Sequence, residues 1–521
     1  MAASYTVLVD WNNDGDFTDS GDDITSEVLD MTWERGRDYA SALEGRSIAG
    51  KLTATLDNTD GKYSPSNTSS ALTGNIVPGR KVKVTAGNGS FPYTFPIAFN
   101  DGVRWQGYLD RILPAPAVVG LKTCTLTAFG VLGYLNQFEA DVATQTNRRT
   151  DQAIGDILDA VGLTSADDRD LDTGKTTISR YWSSGKKTID ALRLVEEAEA
   201  GFIKESKSAQ VVFENRTHRL TEAASTTSQA TFSDADGATY TFNQIDQVDP
   251  LSTIVNHVEA TARTFDTASV ANLWTHPETG SASPTLAPGE AKIFEAFYPN
   301  PDSANNAMEV NAWTTPASTT DYLANTASDG SGTNKTSDIT VAQTKTGERM
   351  AMTFTNSATG SDVFLTKVQA RGTAVTTKNP CIVRAIDTTS QTSFGERKYT
   401  AKTTFIPTTS EAQDWCDYQM SIYGSPVEIL TITIPTSASN NLGQVLSRDI
   451  SDRITVTANN DAKLGINADF FIESETHSVT NGGTNIRPNG CCRPHPGDTV
   501  NSGFWERAFW ERRPSRHFRG Y

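Results

Sequence analysis

The sequence predicts a mainly β protein of several domains, and three observations predict it. Short segments alternate apolar and polar residues with a period of two, as in Lys51-Leu52-Thr53-Ala54-Thr55-Leu56 and Lys81-Val82-Lys83-Val84. Turn-forming runs separate them, such as Asp57-Asn58-Thr59-Asp60-Gly61 and Val77-Pro78-Gly79-Arg80. A chain of 521 residues is also too long for one core and divides into about three or four domains.

The first strand, Tyr5-Thr6-Val7-Leu8-Val9, runs into Asp10-Trp11-Asn12-Asn13-Asp14-Gly15-Asp16. Oxygen-bearing side chains at alternate positions, with glycine at the sixth, suit a hard cation, so Asp10, Asn12, Asp14 and Asp16 are a candidate structural calcium site. An EF-hand would need Glu at position 12, where Gly21 stands, and its flanks would be helical. An Asn/Asp/Gly hairpin turn is the competing and favoured expectation. Val103–Asp110 and Cys124–Phe129 add strands, so residues 1–140 are expected to form a small barrel or sandwich.

Near residue 150 the period changes. Thr150 is placed to cap a helix with Ala153, Ile154, Ile157, Leu158 and Val161 on one face, and Gly162 to end it. A second helix is predicted from Thr188 to Ala200, with Ile189, Leu192, Val195 and Ala198 buried and Gly201 as the stop. A hairpin from Phe202–Glu205 to Gln210–Phe213 completes a small α/β domain over 141–245. The Thr-, Ser-, Asn- and Gly-rich stretch 270–375 reads as an inserted β-sandwich. A helix at 411–423, capped by Ser410 with Gln413 three residues on, precedes further strands at Ile429–Ile434, Arg453–Val456 and Asp469–Glu473. From Arg487 onward seven arginines face three acids, a net +4 that leaves −21 for the remainder. Residues 486–521 are therefore expected to be an irregular basic tail that looks foreign to so acidic a chain, either a binding tail or, the favoured reading, non-native sequence read from a shifted frame.

The formal charge of −17 argues against a nucleic-acid partner, because an acidic surface repels phosphate. No apolar run approaches the roughly 20 residues that span a bilayer, and the N-terminus lacks a basic start and a long apolar stretch. Five scattered cysteines are no disulfide framework, so a soluble protein made in a reducing cytoplasm is expected.

Catalytic patterns fail in turn. Gly174-Lys175-Thr176 is half of a phosphate-binding loop, but Arg169 stands where its first glycine belongs and four aspartates surround it. The six histidines form no zinc-ligand pair, and no G-x-S-x-G elbow occurs. Acid pairs such as Glu196-Glu197 and Asp22-Asp23 are expected on the solvated surface. Trp33, Trp105, Trp182, Trp274 and Trp313 are expected to pack sheet faces rather than bind sugars. No catalytic residue and no required cofactor are expected.

Several stretches, in order, resemble a known family. They are Trp33-Glu34-Arg35-Gly36-Arg37, Gly50 to Pro65, Leu72 to Arg80, Trp105 to Asp110, Glu196 to Phe202, Val212-Phe213-Glu214, Ser393-Phe394-Gly395-Glu396-Arg397, and Phe471 to Ser474 with His477. Together they resemble the hub (baseplate hub or minor tail) proteins at the tip of tailed-bacteriophage tails, over nearly everything to residue 483. The resemblance implies a structural virion protein assembled in the bacterial cytoplasm. It implies a homotrimer in which two barrel-type hub domains per chain, 1–140 and 246–269 with 376–485, form a ring of six similar units. That ring would meet the hexameric tail tube or distal tail protein and hold a central fibre or spike. Two rival expectations are a host-glycan adhesin acting through 270–375 and a tail-borne cell-wall hydrolase.

Overall fold

The computed structural model describes residues 4–37, 46–87, 102–115, 120–248, 253–277, 282–298, 307–426, 429–434, 440–480, 504–505 and 508–511. The predicted fold class is what is seen: a mainly β, multidomain chain.

Its first unit is an antiparallel sheet built from β1 (Ser4–Val9), β2 (Val28–Arg37), β3 (Ser47–Asp57), β4 (Lys81–Gly87), β5 (Val103–Ala115) and β6 (Thr123–Phe129), in the order β1-β4-β5-β6-β3-β2. The alternation in β3 does what it predicts: Leu52, Ala54 and Leu56 are fully buried while Lys51 faces water. Bulges in β2 and β5 bend the sheet around one core of Val7, Val9, Trp33, Val82, Trp105 and Leu126.

Two strands from the far end of the chain extend this sheet past β2. They are β27 (Ser474–Thr480) and β28 (Phe504–Trp505). The first corrects the predicted boundary, which gave residues 474–480 to the second barrel. Its inward side chains explain the choice: His477 lies opposite Trp33 and Glu475 opposite Arg35.

The α/β unit holds α1 (Val131–Leu135), β7 (Glu139–Arg149), α2 (Thr150–Ala160), β8 (Arg169–Leu171), β9 (Thr177–Lys187), α3 (Thr188–Glu199), β10 (Phe202–Glu205) and β11 (Val211–Glu214). Its helices are where the 3.6-residue period puts them, around Ile154, Ile157, Leu158, Leu192 and Val195. Their caps differ. Thr150 is the first helical residue rather than the cap, and Gln152 Oε1 accepts the Arg149 N–H instead. The second helix ends on Ala200, which takes the left-handed conformation at φ 54°. Gly201 is required for a different reason, since a Cβ there would lie 2.7 Å from the Glu214 carbonyl oxygen.

Short helices α4 (His218–Thr221) and α5 (Ala223–Thr226) lead to the second large sheet. It contains β12 (Thr231–Ser233), β13 (Gln244–Val248), β24 (Ile429–Thr433), β25 (Arg453–Ala458), β26 (Ile466–Ile472) and β29 (Ala508–Glu511), ordered β12-β25-β26-β29-β24-β13. Residues 231–248 thus belong to this sheet, although the predicted boundary put most of them in the α/β domain. The C-terminal segment is not wholly irregular either: Ala508–Glu511 pairs with both β24 and β26. An unpredicted helix, α8 (Asn441–Ser447), sets Leu442 and Leu446 against Ala86 of the first sheet.

The inserted stretch forms two facing sheets that share a long strand with the next unit. Its spine is β22 (Val363–Ile386), whose first half pairs with β15 (Ala271–His276), β16 (Thr285–Leu286), β18 (Ala307–Trp313) and β19 (Tyr322–Asn325). The facing sheet is β17 (Ala291–Phe297), β21 (Arg349–Asn356) and β20 (Ile339–Lys345). Beyond the sandwich β22 continues as a ribbon with β14 (His257–Thr267), joined by β23 (Lys398–Thr400). Helix α7 (Thr409–Tyr423) covers one side of that ribbon through Ala412, Trp415 and Cys416. Thr408, not Ser410, caps it by accepting the Glu411 N–H. The Ser393–Arg397 stretch, one of the resembling motifs, begins inside α6 (Thr388–Phe394), because Asp387 accepts the N–H groups of Thr389 and Ser390 as an N-cap.

Candidate functional site

The strand Trp33-Glu34-Arg35-Gly36-Arg37 turns Trp33, Arg35 and Arg37 to one side, and that side is buried. Arg35 is 1% exposed. Its Nε donates to Glu475 Oε1 at 2.5 Å, one Nη to Asp449 Oδ1 at 2.5 Å, and the other to the Glu205 carbonyl at 3.2 Å. A single guanidinium thereby ties β2 to β27, to the turn before β25, and to the hairpin of the α/β unit. Gly36 between the arginines, at φ 115°, lets the Glu473 carbonyl approach to where a Cβ would be 2.4 Å away.

The bracing continues along the hairpin. Arg37 and Arg219 share the buried Glu473, and the Phe202 ring lies 4.1 Å beneath the Arg37 guanidinium. Lys204 pairs with Glu214 and donates to the Ile450 carbonyl at 2.7 Å. Ser451 donates to Glu214 at 2.6 Å, and Lys207 to the Arg448 carbonyl at 2.5 Å. Burial alone would raise the Glu475 carboxyl, but the Arg35 charge holds it down at about 2. Burial lowers His477, which stacks on Trp33 with centroids 4.7 Å apart.

Two carboxylates are held by backbone. Glu205 reaches into a slot between Gly50 and Gly130, where Leu132 N–H donates to it at 3.3 Å. A Cβ on Gly50 would lie 1.8 Å from its Oε1, and one on Gly130 2.1 Å from it. Burial pushes this carboxyl up to about 7 against the pull of those donors and of Arg35. A raised acid contributes stability that is present below the ordinary carboxyl range and is lost as pH rises through the folded value. Glu205→Gln is therefore expected to flatten the fall in Tm between about pH 4.5 and 7, measured by calorimetry against the parent.

The second is Glu199, fully buried, which accepts from the Thr150 hydroxyl at 2.8 Å and from Thr176 N–H at 2.8 Å and Lys175 N–H at 3.1 Å. The half phosphate loop is real as an anion cradle, and the chain's own carboxylate fills it. A cleft of about 100 Å³ opens beside it between α3 and α7, bordered by Glu197, Arg216, Tyr399, Trp415 and Tyr418. Arg216 is already committed there to Glu411, at 2.5 Å.

The predicted calcium residues make hydrogen bonds within their own turn. Buried Asp10 accepts from Asp14 N–H at 3.2 Å and Gly15 N–H at 3.1 Å. Asn12 donates to Asp14 and Asp19, and Asp16 accepts from the Thr18 N–H and hydroxyl. Among the described residues, no three His, Cys, Asp or Glu side chains converge to hold a metal, and no helix is long and apolar enough to cross a membrane.

Sequence reasoning missed the junction because arginine and glutamate read as surface. Glu196, expected in solvent, is 5% exposed and pairs with Arg193 at 2.8 Å, while Asp22 is 3% exposed. The available signal was the arginine at every second position after Trp33, on a strand whose other face is polar.

No family model matches the chain, and no curated protein matches it. The chain is similar in fold to solved tail proteins. One is the 43 kDa tail protein of prophage MuSo2 from Shewanella oneidensis, at 9% identity over 98% of each chain with a TM-score of 0.46. Another is a tail protein from Neisseria meningitidis MC58, at 8% identity over 98% of this chain and 97% of that one, TM-score 0.48. A third is prophage tail protein gp18 from Listeria monocytogenes EGD-e, at 7% identity over 97% and 94%, TM-score 0.41.

Proposed function

We propose that the chain is a structural, non-enzymatic part of a phage tail tip. Three copies form a hub ring that joins the tail tube to a central fibre or spike and takes part in host attachment and DNA delivery. The observation that carries this reading is the braced junction. Two open sheets in one chain are locked by buried ion pairs and by β27, which crosses from the far end of the sequence to complete the first sheet. Such a pair behaves as one rigid body, and three pairs present six sheet units to a hexameric tube. The order of the resembling motifs supports the same reading. The charge of −17 suits a channel that passes DNA without holding it.

Light scattering after size exclusion is expected to give a mass near three chains, and electron microscopy a ring with threefold symmetry. A monomer at every concentration tested would sink the ring. Glycan binding by that monomer through the sandwich would then replace it with the adhesin reading. The Asp10–Asp16 turn is proposed as a self-closed hairpin, so Tm is expected to be equal in excess calcium and in EDTA. A calcium-dependent rise would restore the metal site.

A further inference from the structure

The second large sheet is joined through its middle by the end of the chain. Its strands β26 and β24 do not pair with each other; β29 lies between them and runs antiparallel to both. Ala508, Phe509, Trp510 and Glu511 stand opposite Ile432, Thr431, Leu430 and Ile429 of β24. Trp510 and Glu511 also stand opposite Ile472 and Phe471 of β26. Without β29 the sheet falls into two pieces, β12-β25-β26 and β24-β13, each with a strand edge facing the gap.

The gap is a built slot. Leu430 and Ile432 on one wall and Ile472 on the other belong to a single hydrophobic core, which anchors both walls from beneath. Ile429, Leu430, Ile432, Phe471 and Ile472 are all buried. Backbone N–H and C=O groups on buried walls need partners, and one inserted strand supplies them on both sides. The register sets Ala508 and Trp510 at the positions opposite the core residues Ile432 and Leu430. The slot therefore fits an extended segment with apolar residues at alternate positions.

No tight turn places this strand. β28, just before it, pairs with His477 and Ser478 of β27, yet residues 481–503 stand between β27 and β28. Antiparallel neighbours are commonly joined by about two to five residues. With so long a connection the turn cannot fix the register, and the slot must. The strand is thus held as a bound peptide would be, by its main-chain pairing and its alternate residues.

We propose that the slot between β24 and β26 is a strand-acceptor site for an extended peptide, and that the chain's own Ala508–Glu511 is its ligand. The C-terminal segment is then a working part of the fold rather than sequence foreign to it. This holds whatever the number of copies in the assembly.

The test uses the full chain and a fluorescently labelled synthetic peptide of residues 504–513. Trp510→Pro removes a backbone N–H and fixes φ at a position paired on both sides, which empties the slot and leaves its walls unaltered. That variant is expected to bind the peptide at least tenfold more tightly than the parent, whose slot is taken. A scrambled peptide is expected to bind neither. Thr431→Cys/Phe509→Cys, at directly opposed positions, keeps the proposal testable should the proline variant not fold. On oxidation it is expected to link residues 431 and 509 within one chain, as peptide mapping would read. Equal peptide binding by the parent and a folded proline variant overturns the acceptor site. A 431–509 link found only between chains overturns the assignment of the chain's own strand, and no link at all removes the strand from the slot. Neither readout is a molar mass, so either failure leaves the ring reading to its own test.

Discussion

Replacing Arg35 by Met is expected to cost about 3–5 kcal/mol at neutral pH, the range for removing one partner of a buried ion pair. The loss falls unevenly on its two carboxylates. Asp449 has a side chain 41% exposed and can return to water. Glu475 is fully buried; His477 Nε2 lies 3.6 Å away, but burial disfavours its charged form, which leaves Lys207 as the remaining cation acting on that carboxyl. The variant therefore strands one charge rather than two.

Two readouts follow, both from urea unfolding. Arg35 holds the Glu475 carboxyl at about 2, below its unfolded range, so its contribution is present above about pH 4.5 and is lost as pH falls toward 2. In Arg35→Met, Glu475 takes up a proton on mild acidification, so the gap to the parent is expected to narrow from pH 7 to about pH 4.5. Arg35→Met/Glu475→Leu removes the stranded charge and is expected to recover most of the loss. A gap that is constant with pH, or a double variant as weak as the single, would mean that packing rather than charge accounts for the cost.

How far this junction was legible depends on which signal each part leaves. Sheet strands announce themselves by their two-residue period, and Leu52, Ala54 and Leu56 are buried as that period requires. The helices over residues 150–160 and 188–199 were equally legible, because an apolar stripe is a local property. Strand partnership is not local. Nothing within Ser474–Thr480 says that it leaves β26 for β2, since that choice is made by Trp33 and Arg35 more than 400 residues away. Caps were misread by one or two residues where a competing acceptor was close, as at Thr150, whose hydroxyl Glu199 takes. The buried charges were illegible for a third reason. A glutamate reads as solvent-facing unless its partner is known, and the partners of Glu199, Glu205 and Glu475 all lie on other elements.

Glycines were the overlooked pointers to those charges, and Gly130 gives the sharpest test. It precedes α1 in ordinary extended backbone, so it is not there for conformational freedom. It is there for space: its N–H donates to the Gly50 carbonyl at 2.7 Å, and an added Cβ would sit 2.1 to 2.3 Å from three atoms of the Glu205 carboxyl group. In Gly130→Ala either the strand gives way or Glu205 leaves its donors. A displaced carboxylate that stays buried without them costs about 1–3 kcal/mol, beyond the 1–3 kcal/mol usual for overpacking. The expected total is about 3–5 kcal/mol, and the hairpin that braces both sheets should loosen first, seen as faster amide exchange in β10. Glu205→Ala in the same chain vacates the volume that the new methyl needs. The double variant is therefore expected to be at least as stable as Gly130→Ala alone, although each substitution by itself is destabilising. Simple addition of the two losses would show that Gly130 answers to some constraint other than the carboxylate lodged against it.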